Sequence, residues 1–447
     1  MTRTHYHREI LKIALPSILS NITVPLLGLV DLTIVGHLGS AAYIGAIAIG
    51  STIFNMIYWI FAFLRMGTSG MTSQAYGAGR PDEVLHLLCR SLSASGLVAL
   101  TVLILQEPIL QLSLHFLSPT PTVYELSTTY FHICVWGAPA VLGLYSLTGW
   151  FIGLQEAKYP LYVAIFQNIT NIAASLFFVF GLHAGVSGVA LGTVIAQYAG
   201  LFLSLWCAYK VWKTHHLPSQ VNYHEVFKAK ALRWFFTVNR DIFLRTLCLV
   251  CVTLYFTSAG AQRGEVILAV NALLMQYFTL YSYFMDGFAF AGEALSGQCA
   301  GAHNYIKLRD VIRDLFLWSF GVAILFTLCY TIGGEAFLSL LTNDKEVISA
   351  ALTYLPWAMA IPIIGLAAFT WDGIFIGLTA TRYMLISMCT AMIIFFVCFF
   401  WLSPYWGNHA LWIAFLLYLF SRGAVQHVLY QKKIISLQTN PNKISEE

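Results

Sequence analysis

Five acidic side chains stand well inside apolar runs of this chain: Asp31, Asp241, Asp286, Glu293 and Asp372. Asp31 lies in the run PLLGLVDLTIVGHLG, residues 25–39. Ionisable groups in apolar segments are costly, and by default they mark an ion pathway or an internal pair. A carboxyl group held away from water and from bases is suited to picking up and releasing a proton. The plainer reading is a solvated carboxylate at the rim of its helix. Asn168, Asn171 and Ser175 follow helical spacing of four and three, so they share one face. With Thr193 they offer donors and acceptors that suit a carboxyl group and a proton relay through water, or they are polar glue between helices. Pro16 and Pro25 share a helix with Asp31. Each removes one backbone hydrogen bond, which makes a hinge or a static kink.

The second half carries a different set. Asp241 and Arg245 are four residues apart, Asp286 and Glu293 share a run, and Asp372 lies two runs further on. All fall at similar depth, so Arg245 is placed to pair with Asp286 or Asp372. The group reads as a charge-paired lock or as an ion site. Arg65 and Arg422 sit toward the ends of their runs, where snorkelling accounts for them.

Lipid is the solvent these groups must be positioned in. Of 447 residues, 58% are hydrophobic and 10% charged, against about 25% charged in soluble domains. Twelve stretches reach the length of about 20 residues that a spanning helix needs. They are 10–36, 43–72, 84–107, 123–153, 160–181 and 187–213, then 234–260, 265–295, 309–333, 347–377, 383–403 and 408–431. The first is too long for a signal-peptide core and reads as a spanning helix. The chain divides into an N-terminal six-helix lobe (1–213), a polar linker (214–233) and a C-terminal six-helix lobe (234–447).

Eighteen of the 24 lysines and arginines fall in the loops, tails and helix ends on the side of the N-terminus, and only Arg263 and Lys345 lie in loops on the other. That asymmetry puts both termini in the cytoplasm. Asp31 then stands five residues below the outer end of its helix, about 7 Å. Arg65, the intramembrane base of the same half, stands about 33 Å below the outer surface. The two are not expected to pair.

A net charge of +4, spread over loop ends, gives no footprint for nucleic acid. Most of the nine cysteines lie in apolar runs and behave as small apolar side chains. Cys248 and Cys251, three apart, lack the βαβ context of a redox pair. No nucleotide loop, dinucleotide fingerprint, zinc spacing or serine elbow occurs in a fitting context. No catalytic group, metal or cofactor is therefore expected, and an ion gradient is the expected source of energy.

An internal repeat completes the picture. TGWFIGLQEAKY (148–159) and DGIFIGLTATRY (372–383) match at six of twelve positions, 224 residues apart. The same offset pairs Gln74-Ala75-Tyr76-Gly77-Ala78 with Gln298-Cys299-Ala300-Gly301-Ala302. Each half holds an even number of helices, so both enter from one side. The expected fold is all-α: twelve transmembrane helices in two pseudo-symmetric six-helix bundles related by an axis along the membrane normal.

The chain closely resembles the DinF branch of the multidrug and toxic compound extrusion family. The resemblance rests on ALPSILSNITVPLLGLVDLTIVGHLG (14–39), TSQAYGA (72–78), NRDIFLR (239–245), DGFA (286–289), SGQ (296–298), DGIFIG (372–377) and GNHALW (407–412). It implies a V of two lobes that opens to either side and exchanges protons, or sodium in some branches, for organic cations. It implies that Asp31 is the protonation site and that Pro16 bends the first helix. It also implies that Asn171, Ser175 and Thr193 match an Asn, an Asp and a Thr of the N-lobe network. Serine at 175 departs from that pattern and weakens any sodium site there, because hard cations want several oxygen ligands and more carboxylate charge.

The resulting expectation is a monomeric antiporter of the bacterial inner membrane, surrounded by membrane lipids. It exports small organic cations or amphipathic drugs against protons. The alternatives are sodium coupling, or export or flipping of an anionic or lipid-linked metabolite. A membrane-embedded enzyme would need a nucleophile or metal set that the C-terminal charges lack.

Overall fold

The structure, a computed structural model, describes the backbone of residues 3–36, 41–218 and 220–439. Regular structure among the described residues is helical throughout. The chain divides into two compact units. One comprises Leu11–Asn239 with Gly297–His303. The other comprises the chain up to Ile10, Arg240–Ser296 and the chain from Asn304 onward.

The first unit holds α1 (Arg3–Gly36) from Leu11 on, α2 (Ala41–Phe61), α3 (Phe63–Gly77), α4 (Pro81–Ile104), α5 (Gln106–Leu117), α6 (Pro121–Cys134), α7 (Ala138–Gly153), α8 (Lys158–Leu176) and α9 (Gly185–Thr214). It also takes in the single-turn α10 (Tyr223–Val226) and the start of α11 (Ala229–Ala261). The second unit holds the rest of α11, most of α12 (Glu265–Gly301), then α13 (Tyr305–Leu341), α14 (Lys345–Gly377), α15 (Thr381–Trp406) and α16 (Asn408–Thr439). Among the described residues, eleven stretches are long and apolar enough to cross a membrane. With the 34-residue α1, each unit is built on six long helices.

Several helices differ from the apolar runs that announced them. The run 43–72 is two helices, broken at Ala62, where Ala62 N–H turns back to the carbonyl of Trp59. The run 123–153 carries a tight turn at Val135–Gly137. Pro139 lies four residues after Val135 and has no N–H to give its carbonyl, so the helix tightens there. A π turn at Phe177–Gly181 closes α8.

The offset of 224 reappears in the helices themselves. α2, α4 and α6 begin at Ala41, Pro81 and Pro121, and α12, α13 and α14 begin at Glu265, Tyr305 and Lys345. Packing repeats as well. A Cβ on Gly149 of α7 would collide with the carbonyl oxygen of Arg65 on α3, and one on Gly373 of α14 with that of Ala289 on α12. Both pairs of positions are 224 apart. Gly149→Val and Gly373→Val are each expected to cost about 1–3 kcal/mol or more, because backbone cannot give way as a side chain does. Gly96, with nothing near its missing Cβ, is the control. Recovery of monodisperse protein and thermal unfolding midpoints measure the effect.

Each unit also grips a segment that leads into a first helix. Arg90 of α4 is buried. Its Nε donates to the carbonyl of Val226 at 2.6 Å, Nη2 to that of Glu225 at 2.9 Å and Nη1 to Glu83 Oε1 at 2.6 Å. In the other unit, Lys307 Nζ lies 3.6 Å from Glu9 Oε2, and buried Asp314 lies 4.0 Å from His7 Nε2. Trp318 Nε1 donates to His7 Nδ1 at 3.2 Å, so the ring proton sits on the nitrogen that faces Asp314. Glu83 and Arg90 correspond through the repeat to Lys307 and Asp314. The charges are inverted.

Candidate functional site

Among the buried carboxylates, Asp31 and Asp372, one in each unit, differ most in how their charge is handled.

Asp31, on α1, is buried. Thr193 of α9 lies beside it and Asn171 of α8 beside Thr193, and both are buried, as is Ser175 one turn along α8 from Asn171. The approach of α8 and α9 depends on Gly192, where a Cβ would strike Ser175 Oγ. Asn171 Nδ2 donates to Thr193 Oγ1 at 3.2 Å. The Thr193 hydroxyl lies 3.4 Å from Asp31 Oδ2 and 3.0 Å from the carbonyl of Val189, and its one proton serves one of them at a time. Asp31 Oδ1, Asn171 Oδ1 and Ser175 Oγ have no hydrogen-bond partner among the described residues. The carboxylate thus receives one long, shared hydrogen bond among the described residues.

Asn168 points elsewhere. Its Nδ2 donates at 3.1 Å to the carbonyl of Thr23 on α1, two residues before Pro25. α1 stays helical through Pro16 and Pro25. The side chain of Pro25 lies outside the described residues.

Shifted by 224, the Asp31 cluster lands on Tyr255, Phe395, Phe399 and Leu417. There, Tyr255 meets Phe395 and Phe399 edge-on, with centroids 6.3 and 5.4 Å apart. The repeat preserves the meeting of these positions and replaces a polar cluster by an aromatic one.

The second carboxylate, Asp372 of α14, corresponds to Thr148 in the first half. Arg245 of α11 and Arg422 of α16 both donate Nη2 to Asp372 Oδ2, and Gln426 Nε2 donates to Oδ1 at 2.6 Å. All four residues are buried. Between the two acids open to Arg245, the pair made is with Asp372. Asp241 is engaged by Arg240 Nη2 at 2.9 Å and Thr381 Oγ1 at 3.3 Å. Glu293 is buried on α12, on the same helix as half-buried Asp286.

Snorkelling does not describe Arg422. It is buried and ion-paired, because α16 continues to Thr439 and leaves it far from the helix end. Gln426 was missed with it. The signal was available, since an arginine and a glutamine four apart in an apolar run share a face that needs a partner.

Phe54 is buried against Phe131, with centroids 5.0 Å apart, and Tyr58, at 5.8 Å, whereas Trp59 is exposed. Cys248 Sγ lies 3.8 Å from Cys389 Sγ, and Cys251 is exposed. No group of three or more metal-binding side chains occurs among the described residues.

Comparison with known proteins fits this architecture. The MatE family model matches residues 16–177 and 242–406, a stretch in each half of the repeat. This chain belongs to the MatE family. It is 40% identical over 415 residues to the DNA damage-inducible protein F of Escherichia coli, covering 92% of this chain and 89% of that protein. It is 25% identical over 404 residues to a probable multidrug resistance protein NorM of Synechocystis sp., covering 84% and 83%. The bent form of the Vibrio cholerae MATE transporter VcmN superposes with a TM-score of 0.86 at 18% identity, covering 97% of this chain and 98% of that one. This MatE chain is therefore a multi-pass membrane transporter, not an enzyme. Its fold is the two-bundle, twelve-helix fold of that family.

Proposed function

We propose that this chain is a proton-coupled exporter of cationic or amphipathic organic compounds, working by alternating access in a bacterial inner membrane with both termini in the cytoplasm. Asp31 takes up the proton, and the chain works as a monomer. The observation that carries this reading is the contrast between the two buried carboxylates. Asp372 has its charge matched by guanidinium groups, whereas Asp31 has a single long hydrogen bond from Thr193.

In the inward-facing state Asp31 is ionised and an organic cation enters. In the outward-facing state a proton reaches Asp31, α1 rearranges about Pro16 and Pro25, and the substrate leaves. The neutral acid then crosses back. The membrane potential favours proton entry by about 2.3 kcal/mol per charge per 100 mV. Sodium fits poorly at either carboxylate, since hard cations want several oxygen ligands, more than one of them usually charged. Ser175 brings no charge to the first site, and two guanidiniums oppose a cation at the second. The named relative associated with multidrug resistance supports the drug-like substrate class.

The test is uptake of lipophilic cations into proteoliposomes under separately imposed proton and sodium gradients. Accumulation driven by the proton gradient alone is expected. Accumulation that needs sodium and ignores pH would overturn the proposal.

A further inference from the structure

Asp372 cannot neutralise the group it sits in. One carboxylate faces two guanidiniums, Arg245 and Arg422, and the fourth member, Gln426, is neutral. Their helices α11, α14 and α16 are all long and apolar enough to cross a membrane. The groups that bear on Arg422 are Asp372 and the phenol of Tyr418. Asp241, one turn from Arg245, is held by Arg240 and Thr381. A surplus positive charge in such a place is costly unless something matches it.

The donors make the same point independently. Both arginines direct Nη2 at Asp372 Oδ2, and on each the Nε–H is buried without a hydrogen-bond partner among the described residues. Both side chains are more than nine-tenths buried. One ligand chemistry answers the surplus charge and the unmatched N–H groups together, namely an anion with several acceptor lone pairs. A cation answers neither, and would serve only Gln426 Oε1, which is also buried without a hydrogen-bond partner among the described residues.

We propose that Arg245, Arg422 and Asp372 form an anion-binding site in the second unit, taking a halide or the carboxylate of an organic acid. Asp372 sets its strength by holding the two guanidiniums in place and cancelling one of their charges. The site goes beyond the proton-coupled reading of Asp31 and does not depend on it.

The test uses the full chain in detergent at constant ionic strength, with gluconate exchanged for bromide, chloride or acetate. A saturable rise in the thermal unfolding midpoint is expected with bromide, and it should vanish in Arg422→Gln and in Arg245→Gln. Asp372→Asn keeps the shape and removes the competing charge, so its half-saturating bromide concentration should fall about tenfold. A structural charge lock would not give that opposite sign.

Should any of these variants, Asp372→Asn included, fail to fold, the wild-type protein still decides. Anomalous scattering from bromide-grown crystals should place a peak beside Arg245 and Arg422. Displacement of that peak by acetate assigns the site to carboxylates, and retention assigns it to halides. The absence of both a saturable shift and a peak in the wild type would overturn the proposal, as would an unchanged bromide response in both arginine variants.

Discussion

Asp31→Asn is expected to abolish proton-driven efflux while leaving a folded, membrane-inserted protein. Asparagine has nearly the shape of the acid, and its carbonyl oxygen can still accept from the Thr193 hydroxyl that lies 3.4 Å from Asp31 Oδ2. The position is buried, so an amide costs no charge desolvation and little stability is at risk. What disappears is the ability to change charge. A transporter with this site fixed in the neutral form is held in the state that releases substrate, so gradient-free exchange of labelled for unlabelled cation across liposomes should be lost as well. Its concentrative uptake should fall to the level of empty liposomes. Full retention of pH-driven accumulation would remove Asp31 from the mechanism.

Substitutions around it should do less. Thr193→Val and Asn171→Leu each remove one hydrogen-bonding member, worth about 0.5–1.5 kcal/mol. They should move the pH at which transport is half-maximal without abolishing it.

Asp372→Ala should act on folding rather than on coupling. It leaves Arg245, Arg422 and the Gln426 amide facing one another in a buried space with no carboxylate. Removing one partner of a buried ion pair typically costs about 3–5 kcal/mol, most of it the penalty on the charge left behind. The protein should therefore lose most of its detergent-stable, monodisperse fraction. Replacing all three charged residues by apolar side chains of similar volume should recover that fraction, because a buried pair adds little over good packing. Size-exclusion profiles and unfolding midpoints of the parent, Asp372→Ala and the triple replacement test this. A single variant as stable as the parent would show that the charges are not confined as described.

Much of this was legible in the sequence. The apolar runs and the repeat at 224 follow from composition and periodicity, and the helix starts at Ala41 and Glu265, or Pro81 and Tyr305, keep that spacing. Asp31 stood out because a carboxylate among leucines and valines needs a reason. Other features were hidden for physical causes. The sequence gives depth along a helix but not which neighbour faces which side, so Arg245 was left with two acids and Arg422 with none. Asn168 shares a helical face with Asn171, yet it bonds the backbone of α1, a choice that spacing along one helix does not reveal. The break at Ala62 has no proline or glycine at the break to announce it, whereas the turn at Val135–Gly137 does have Pro139.

The inverted charges on α4 and α13 bear on how the chain is assembled. A duplicated protein offers two similar grooves to two similar leading segments, so mistaken pairing is a standing risk. Arg90 recognises backbone carbonyls at Glu225 and Val226, while Asp314 and Lys307 face His7 and Glu9. Exchanging the segments would set Glu9 against Glu83 and leave Arg90 facing an imidazole, so the wrong match is penalised. The correct one also imposes an order of events. His7 and Glu9 leave the ribosome some three hundred residues ahead of their anchors, Lys307 and Asp314. That segment must therefore wait, and its capture follows the synthesis of α13.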